Sequence, residues 1–469
     1  MRGIGAPSQT AGLRARRWDA IVLGTALPGL IAAARLGMDG QRVLVVEEEA
    51  ASRAHPALRE PFLLSGAATG GVLDTCLRTL TVPLIDRKKL EPDVLAYQLV
   101  LPEARIDVGD PQTTAEELAC WGLAKPDEAR DLVRALLDAA SAERVAMLEA
   151  AVVRAGGLRA LARSASAPRA ARHGRGLPLE VASPSPALAP FLDAQVRALS
   201  GLAEATPPPE ARARLLGSAL EGGAGFASAA EGQLRGLLRR RIQALFGEFR
   251  TISGRFELVA MGNAPGITME GSQDVWLGRV MILNAPRASL AAALAEGAGG
   301  APAFLDGPAP TRCRVSVLLR GRRSTLPEGM ARRVIFVPDL TRPLDGVNVL
   351  SLSVHPAQSG GDAVDLVAAA TVRLGDTAVA EDALEAAVRT LMPFSEGSLR
   401  RERSPAVRWD EECPGDPALG EGWPGDVEIR VSSRPPIYLL PRDGVASLGF
   451  EGDLLLGWRA GDAIRADVG

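Results

Sequence analysis

Histidine is nearly absent from this 469-residue sequence, which has three, alongside two tyrosines, four cysteines and an aromatic content of 4%. That scarcity narrows the chemistry. His55, His173 and His355 fall in unrelated contexts, so no Ser/His/Asp or Cys/His nucleophile is supported, and each reads as a surface or satisfied histidine. Cys76, Cys120, Cys313 and Cys413 lack the paired spacing of a zinc site or redox dithiol; no metal is expected, and a reducing cytoplasm fits. Asp410, Glu411 and Glu412, with no histidine nearby, read as a polar loop.

An excess of either charge is also missing. Lys and Arg total 53 against 56 Asp and Glu, a net charge of −3, so there is no broad positive field to draw a nucleic-acid backbone. Arg239-Arg240-Arg241 lies on an amphipathic helical stretch and reads as a solvated face, with peripheral contact to an anionic membrane surface as the functional alternative. No segment offers the ~20 uninterrupted apolar residues of a spanning helix. Residues 20–34, preceded by Arg14, Arg16 and Arg17, superficially resemble a secretion signal. They contain Gly24, Pro28 and Gly29 and run straight into a strand pattern, so they belong to the fold.

What is present begins at Trp18, after a loose leader over residues 1–17. A strand over 20–23, a glycine-containing turn, a helix over 27–38, a stop at Gly40 and a strand over 42–46 make a βαβ unit. The turn reads Gly24-Thr25-Ala26-Leu27-Pro28-Gly29. In a dinucleotide fold the first glycine makes the tight bend, the second admits the pyrophosphate and the third lets helix and strand pack. Here Ala26 stands at the second place. Pro28 suits the first helical turn, whose free N–H groups form an anion site. Glu47, at the tip of the next strand, is placed to accept ribose hydroxyls, which favours a free 2′-hydroxyl over a 2′-phosphate.

Further along, residues 94–108 read as two short strands and 115–162 as helical cover. Residues 164–190 read as a mobile excursion and 206–209 as a loop. A helix over 229–246 precedes strands near 255–261 and 279–283. Four β-rich stretches at 314–319, 333–337, 347–354 and 366–374 suggest an antiparallel sheet in a separate domain. A helix over 381–391 and a strand–turn–helix over 437–464 follow.

Together the opening at 21–44, the passage 234–249, Met281-Ile282-Leu283-Asn284-Ala285-Pro286, and Gly449-Phe450-Glu451-Gly452 with the helix after it resemble the two-domain flavoproteins. That group includes phytoene desaturases, flavin amine oxidases and the Rab GDP-dissociation inhibitor. The resemblance implies an α/β fold: a Rossmann-type FAD-binding domain interleaved with a second α+β substrate domain containing an antiparallel sheet. By it, residues 18–110, 229–300 and 425–469 form the FAD domain, and 111–228 and 301–424 the substrate domain. It implies FAD as cofactor, held by Gly24, Thr25, Ala26, Pro28, Gly29 and Glu47 at the phosphate and ribose end. Phe256 would supply an adenine-side backbone contact, with Val259 a core residue, and Gly449, Phe450 and Gly452 would face the flavin ring. The implied activity is oxidoreductase chemistry in which the flavin accepts hydride from an apolar or amine substrate, with no catalytic side chain named. The chain departs from the family at Ala26, in lacking paired glycines after Glu47, and at Leu440-Pro441-Arg442-Asp443. The alternative implied by these departures is a non-enzymatic escort protein, similar to the GDP-dissociation inhibitor, that has lost the flavin. An NAD-dependent dehydrogenase is a weaker third reading, because it leaves the turn at 449–452 without a role.

Overall fold

The computed structural model describes residues 4–5, 13–149, 153–154, 185–203, 207–226, 233–297, 299–357, 360–395, 397–411 and 427–468. The strand β1 (Arg14–Leu23) is apolar and buried from Ala20 to its end, as a strand covered on both faces should be. It lies at the centre of the first sheet, paired in parallel with β2 (Val43–Glu48) on one side and with the strand Asp274–Leu283 on the other. Outward from these come Glu248–Ile252 beside β2, and Pro436–Leu439 then Arg430–Ser433 beside Asp274–Leu283. Helix α1 (Leu27–Gly37) crosses from β1 to β2, is buried at every position but Arg35, and packs on the C-terminal helix Gly449–Val468. This is the Rossmann-type arrangement, with the first βαβ unit at its middle.

The second sheet has seven strands, in the order Arg400–Glu402, Arg312–Arg322, Ala363–Arg373, Leu350–Pro356, Arg333–Phe336, Leu95–Leu101 and Ala104–Gly109. Its pairings are antiparallel except between Arg333–Phe336 and Leu95–Leu101, which run parallel. The helix Thr377–Leu391 covers one part through Leu384 and Val388. Helices Pro126–Glu149, Ala189–Leu199 and Pro209–Leu220 enclose the other, against Tyr97, Leu99 and Ile106. A second α+β domain interleaved with the first is therefore as expected.

Three boundaries differ from the sequence reading. The hairpin Leu95–Leu101 and Ala104–Gly109, assigned to the nucleotide domain, joins the second sheet through the pairs Val334–Gln98 and Phe336–Val100. Arg14 to Arg17, assigned to the leader, extend β1 against Asp274 to Leu277. Pro209, assigned to a loop, opens a helix, where its missing N–H removes no intrahelical bond. Of the excursion at 164–190, residues 164–184 lie outside the described residues.

Candidate functional site

The site is built where β1 gives way to α1. Gly24 turns the chain with a φ of +105°, a conformation that L side chains rarely adopt, and Pro28 sits in the first helical turn, both as predicted. One of the groups expected to face a diphosphate, Thr25, is engaged by the chain itself. The Thr25 N–H donates to Asp410 Oδ1 at 2.7 Å, and Thr25 Oγ1 donates to Asp410 Oδ2 at 2.6 Å. Arg59 completes the cluster, donating to Thr25 Oγ1 at 2.8 Å and to Asp410 Oδ1 at 3.2 Å. Arg235 donates to the Thr25 carbonyl and, at 2.8 Å, to that of Arg59. Burial and the nearby Arg59 both work against the charge of Arg235. Asp410 is 1% exposed, so this carboxylate is a sealed partner rather than a surface contact.

The segment that carries Asp410 is pinned from β2. Glu48 accepts the backbone N–H groups of Arg408, Trp409 and Asp410 at 3.0, 2.9 and 3.1 Å. Trp409 packs its ring on Phe256 at 5.3 Å between centroids. Phe256, expected to offer its backbone to adenine, pairs with Met269 across a hairpin and is buried; Val259 is buried, as expected of a core residue.

Beneath the turn sits Asn284. Its Oδ1 accepts the Gly29 N–H at 3.0 Å, and its Nδ2 donates to the carbonyls of Gly24 at 3.1 Å and Ala26 at 2.9 Å. A Cβ at position 29 would lie 2.1 Å from Asn284 Nδ2, so Gly29 is required by this amide wedge. Ala26 is 3% exposed and faces protein. Glu47, expected to hold ribose, receives Arg239 in a forked ion pair at 2.7 and 3.1 Å, and the Arg239 guanidinium lies 4.1 Å from the centroid of the Phe249 ring. Arg239 is thus half-exposed with its guanidinium turned onto Glu47, while Arg240 stays on the solvated face read from the sequence.

At the other predicted end, Gly449 has a φ of +52° and would bring a Cβ within 2.0 Å of the Leu199 carbonyl oxygen. Gly449 and Phe450 line a cavity of about 90 Å³. Gly452 lies against the Val445 carbonyl, where a Cβ would come within 2.3 Å. Between them Glu451 accepts Arg214 at 2.7 Å through both oxygens, a fully buried pair. Arg442, within the stretch that departs from the family pattern, is forked onto Asp453 at 2.7 and 2.6 Å.

A larger cleft of about 350 Å³ opens beside the turn, with Thr25, Glu47 and Arg59 on one wall and Arg333 and His355 on the other. Burial, reinforced by the Arg333 charge, pushes the His355 imidazole down to about 4, so it is neutral near pH 7. His55 meets the buried Asp365 at 3.2 Å, and Arg320 meets the same carboxylate at 2.9 Å. No group of three or more metal-ligating side chains occurs among the described residues. No helix among them is long and apolar enough to cross a membrane.

The residues present do not fit the phosphate and ribose of a flavin dinucleotide as they stand. Phosphate needs the Thr25 amide, which Asp410 holds, and ribose needs the Glu47 carboxylate, which Arg239 holds. Asp410, Asn284, Arg59 and Arg235 are the functional-site residues to which the sequence reading gave no role here.

No family model matches the sequence, and no curated protein matches it. Solved structures do share its fold. A redesigned triple mutant of putrescine oxidase superposes with a TM-score of 0.55 at 12% identity, covering 97% of this chain and 100% of that one. An oxidoreductase from Methanosarcina mazei gives 0.54 at 13%, covering 94% and 99%. Cyclohexylamine oxidase from Brevibacterium oxydans gives 0.52 at 13%, covering 96% and 99%. The chain has the two-domain architecture of these proteins.

Proposed function

We propose that this chain is a non-enzymatic binding protein built on the flavoprotein architecture, one that takes its ligand between the two domains and holds no FAD. The observation that carries this reading is the Asp410 carboxylate on the Thr25 amide and hydroxyl. A helix N-terminus binds an anion because its first N–H groups lack intrahelical partners. Here a carboxylate of the same chain, with Arg59 as its counter-ion, already stands on Thr25, the residue just before the N-cap Ala26, where a diphosphate would approach that terminus. The engagement of Glu47 by Arg239 supports the same reading at the ribose end.

A flavin oxidoreductase is the second reading, favoured by the architecture shared with putrescine oxidase and cyclohexylamine oxidase. At 12 and 13% identity that likeness extends to the fold alone. The two readings separate on the visible absorption spectrum of the purified protein and of the supernatant after heat denaturation. The binding-protein reading predicts a colourless preparation that releases no flavin; stoichiometric flavin in the supernatant overturns it.

A further inference from the structure

The interdomain cleft at the start of the C-terminal helix carries a cation that the fold leaves uncompensated. Arg314 rises from the strand Arg312–Arg322 into the cavity that Gly449 and Phe450 line, and it also lines an adjoining lobe of about 70 Å³. Protein surrounds it closely enough to disfavour its charge by burial, with Arg442 adding like-charge repulsion. Its side chain is nonetheless exposed to the cleft and has neither hydrogen bond nor ion pair among the described residues.

The neighbouring cations are all matched. Arg442 has Asp453, Arg214 has Glu451, and Arg197 has Asp345. Arg314 alone of the four has no carboxylate. An arginine that faces a cavity beside a second guanidinium and has no carboxylate of its own makes a local field of one sign, which favours an anion.

Neutral donors converge on the same point. Thr371 stands directly opposite Arg314 in the antiparallel register, on the same face of the sheet. Ser200 lines both lobes, and its Oγ is buried without a hydrogen-bond partner. A guanidinium, a second guanidinium and an orphaned hydroxyl around a small cavity suit an oxyanion.

We propose that Arg314, with Arg442 and Ser200, forms a binding site for the anionic group, carboxylate or phosphate, of the ligand. The assignment names a ligand class for the flavin-free reading and rests on it. It also disfavours an amine, since an ammonium group would be repelled by both arginines.

The test uses the full-length protein, with inorganic phosphate and acetate as probes at constant ionic strength, followed by calorimetric titration and thermal denaturation. Wild type should bind at least one probe at one site per chain. Arg314→Met should weaken that binding roughly tenfold or more, the loss expected for a charge-assisted contact. Because Arg314 holds no structural partner, the variant should also melt at or above the wild-type temperature without ligand, which separates lost binding from lost folding. Ser200→Ala should weaken binding without lowering the melting temperature. Failure of wild type to bind either probe, or unchanged binding by Arg314→Met, overturns the site. The colour of the same preparation scores the underlying reading separately. Colourless protein that binds neither probe sinks the anion site alone, and yellow protein sinks both.

Discussion

Replacing Asp410 with alanine removes one carboxylate and strands several groups. Thr25 loses the acceptors of its N–H and hydroxyl, at 2.7 and 2.6 Å, and Arg59 loses its counter-ion. Asp410 is 1% exposed and the Arg59 side chain 14%, so water can replace little of what is lost. Breaking a buried pair by removing one partner costs about 3–5 kcal/mol, because the remaining charge stays desolvated. At roughly 2–4 °C per kcal/mol for a domain of this size, the melting temperature should fall by about 6 °C or more. Asp410→Asn keeps an acceptor for Thr25 and loses only the charge, so its cost should be nearer 1.5–3 kcal/mol. Chemical denaturation of both variants with Arg59→Met and the double mutants gives the coupling directly. If Asp410→Ala lies within about 0.5 kcal/mol of wild type, the carboxylate is not the turn's partner and the reasoning fails.

Other outcomes follow from the same geometry. Glu47→Ala should cost only about 1 kcal/mol in denaturant melts, since Arg239, at 40% side-chain exposure, can turn to solvent. Gly29→Ala should destabilise by about 1–3 kcal/mol, because its methyl would meet the Asn284 amide; Asn284→Ala in the same chain should recover part of the loss. Stability should also depend on His355, whose folded value of about 4 lies below its ordinary 6.5. The unfolded chain therefore takes up that proton first, so the contribution is full above pH 6.5 and is lost as pH falls toward 4. About 3 kcal/mol is at stake, and a His355→Gln variant should show a flatter pH profile of unfolding free energy over that interval.

The central βαβ unit was legible because its signals are local: an apolar strand, a glycine bend, a proline in the first helical turn and a second apolar strand all fall within 14–48. The antiparallel sheet was legible from its succession of strand patterns. Its outer hairpin was assigned to the wrong domain because alternation shows that a strand is half-buried but not which distant strand it joins. The pairing of Leu95–Leu101 with Arg333–Phe336 joins Gln98 to Val334, about half the chain away. The same limit hid the partner of the phosphate turn, since Thr25 and Asp410 are 385 positions apart and Asp410 sits in a stretch that reads as a polar loop. The ion pair of Arg239 was hidden for a related reason: helical periodicity assigns it to a polar face, and only the packed structure shows its guanidinium on Glu47. The departures from the family pattern were legible as well. Ala26 and the missing glycine pair after Glu47 set this turn apart from the family pattern in the sequence itself.

Titration of purified wild type with FAD, followed by fluorescence anisotropy of the flavin, tests the closed turn most directly. The account predicts no saturable binding at ligand concentrations up to about 100 μM, which corresponds to less than about 5.5 kcal/mol of binding free energy. Saturation at one flavin per chain with micromolar affinity would mean that Asp410 yields its place to phosphate, and would contradict the account.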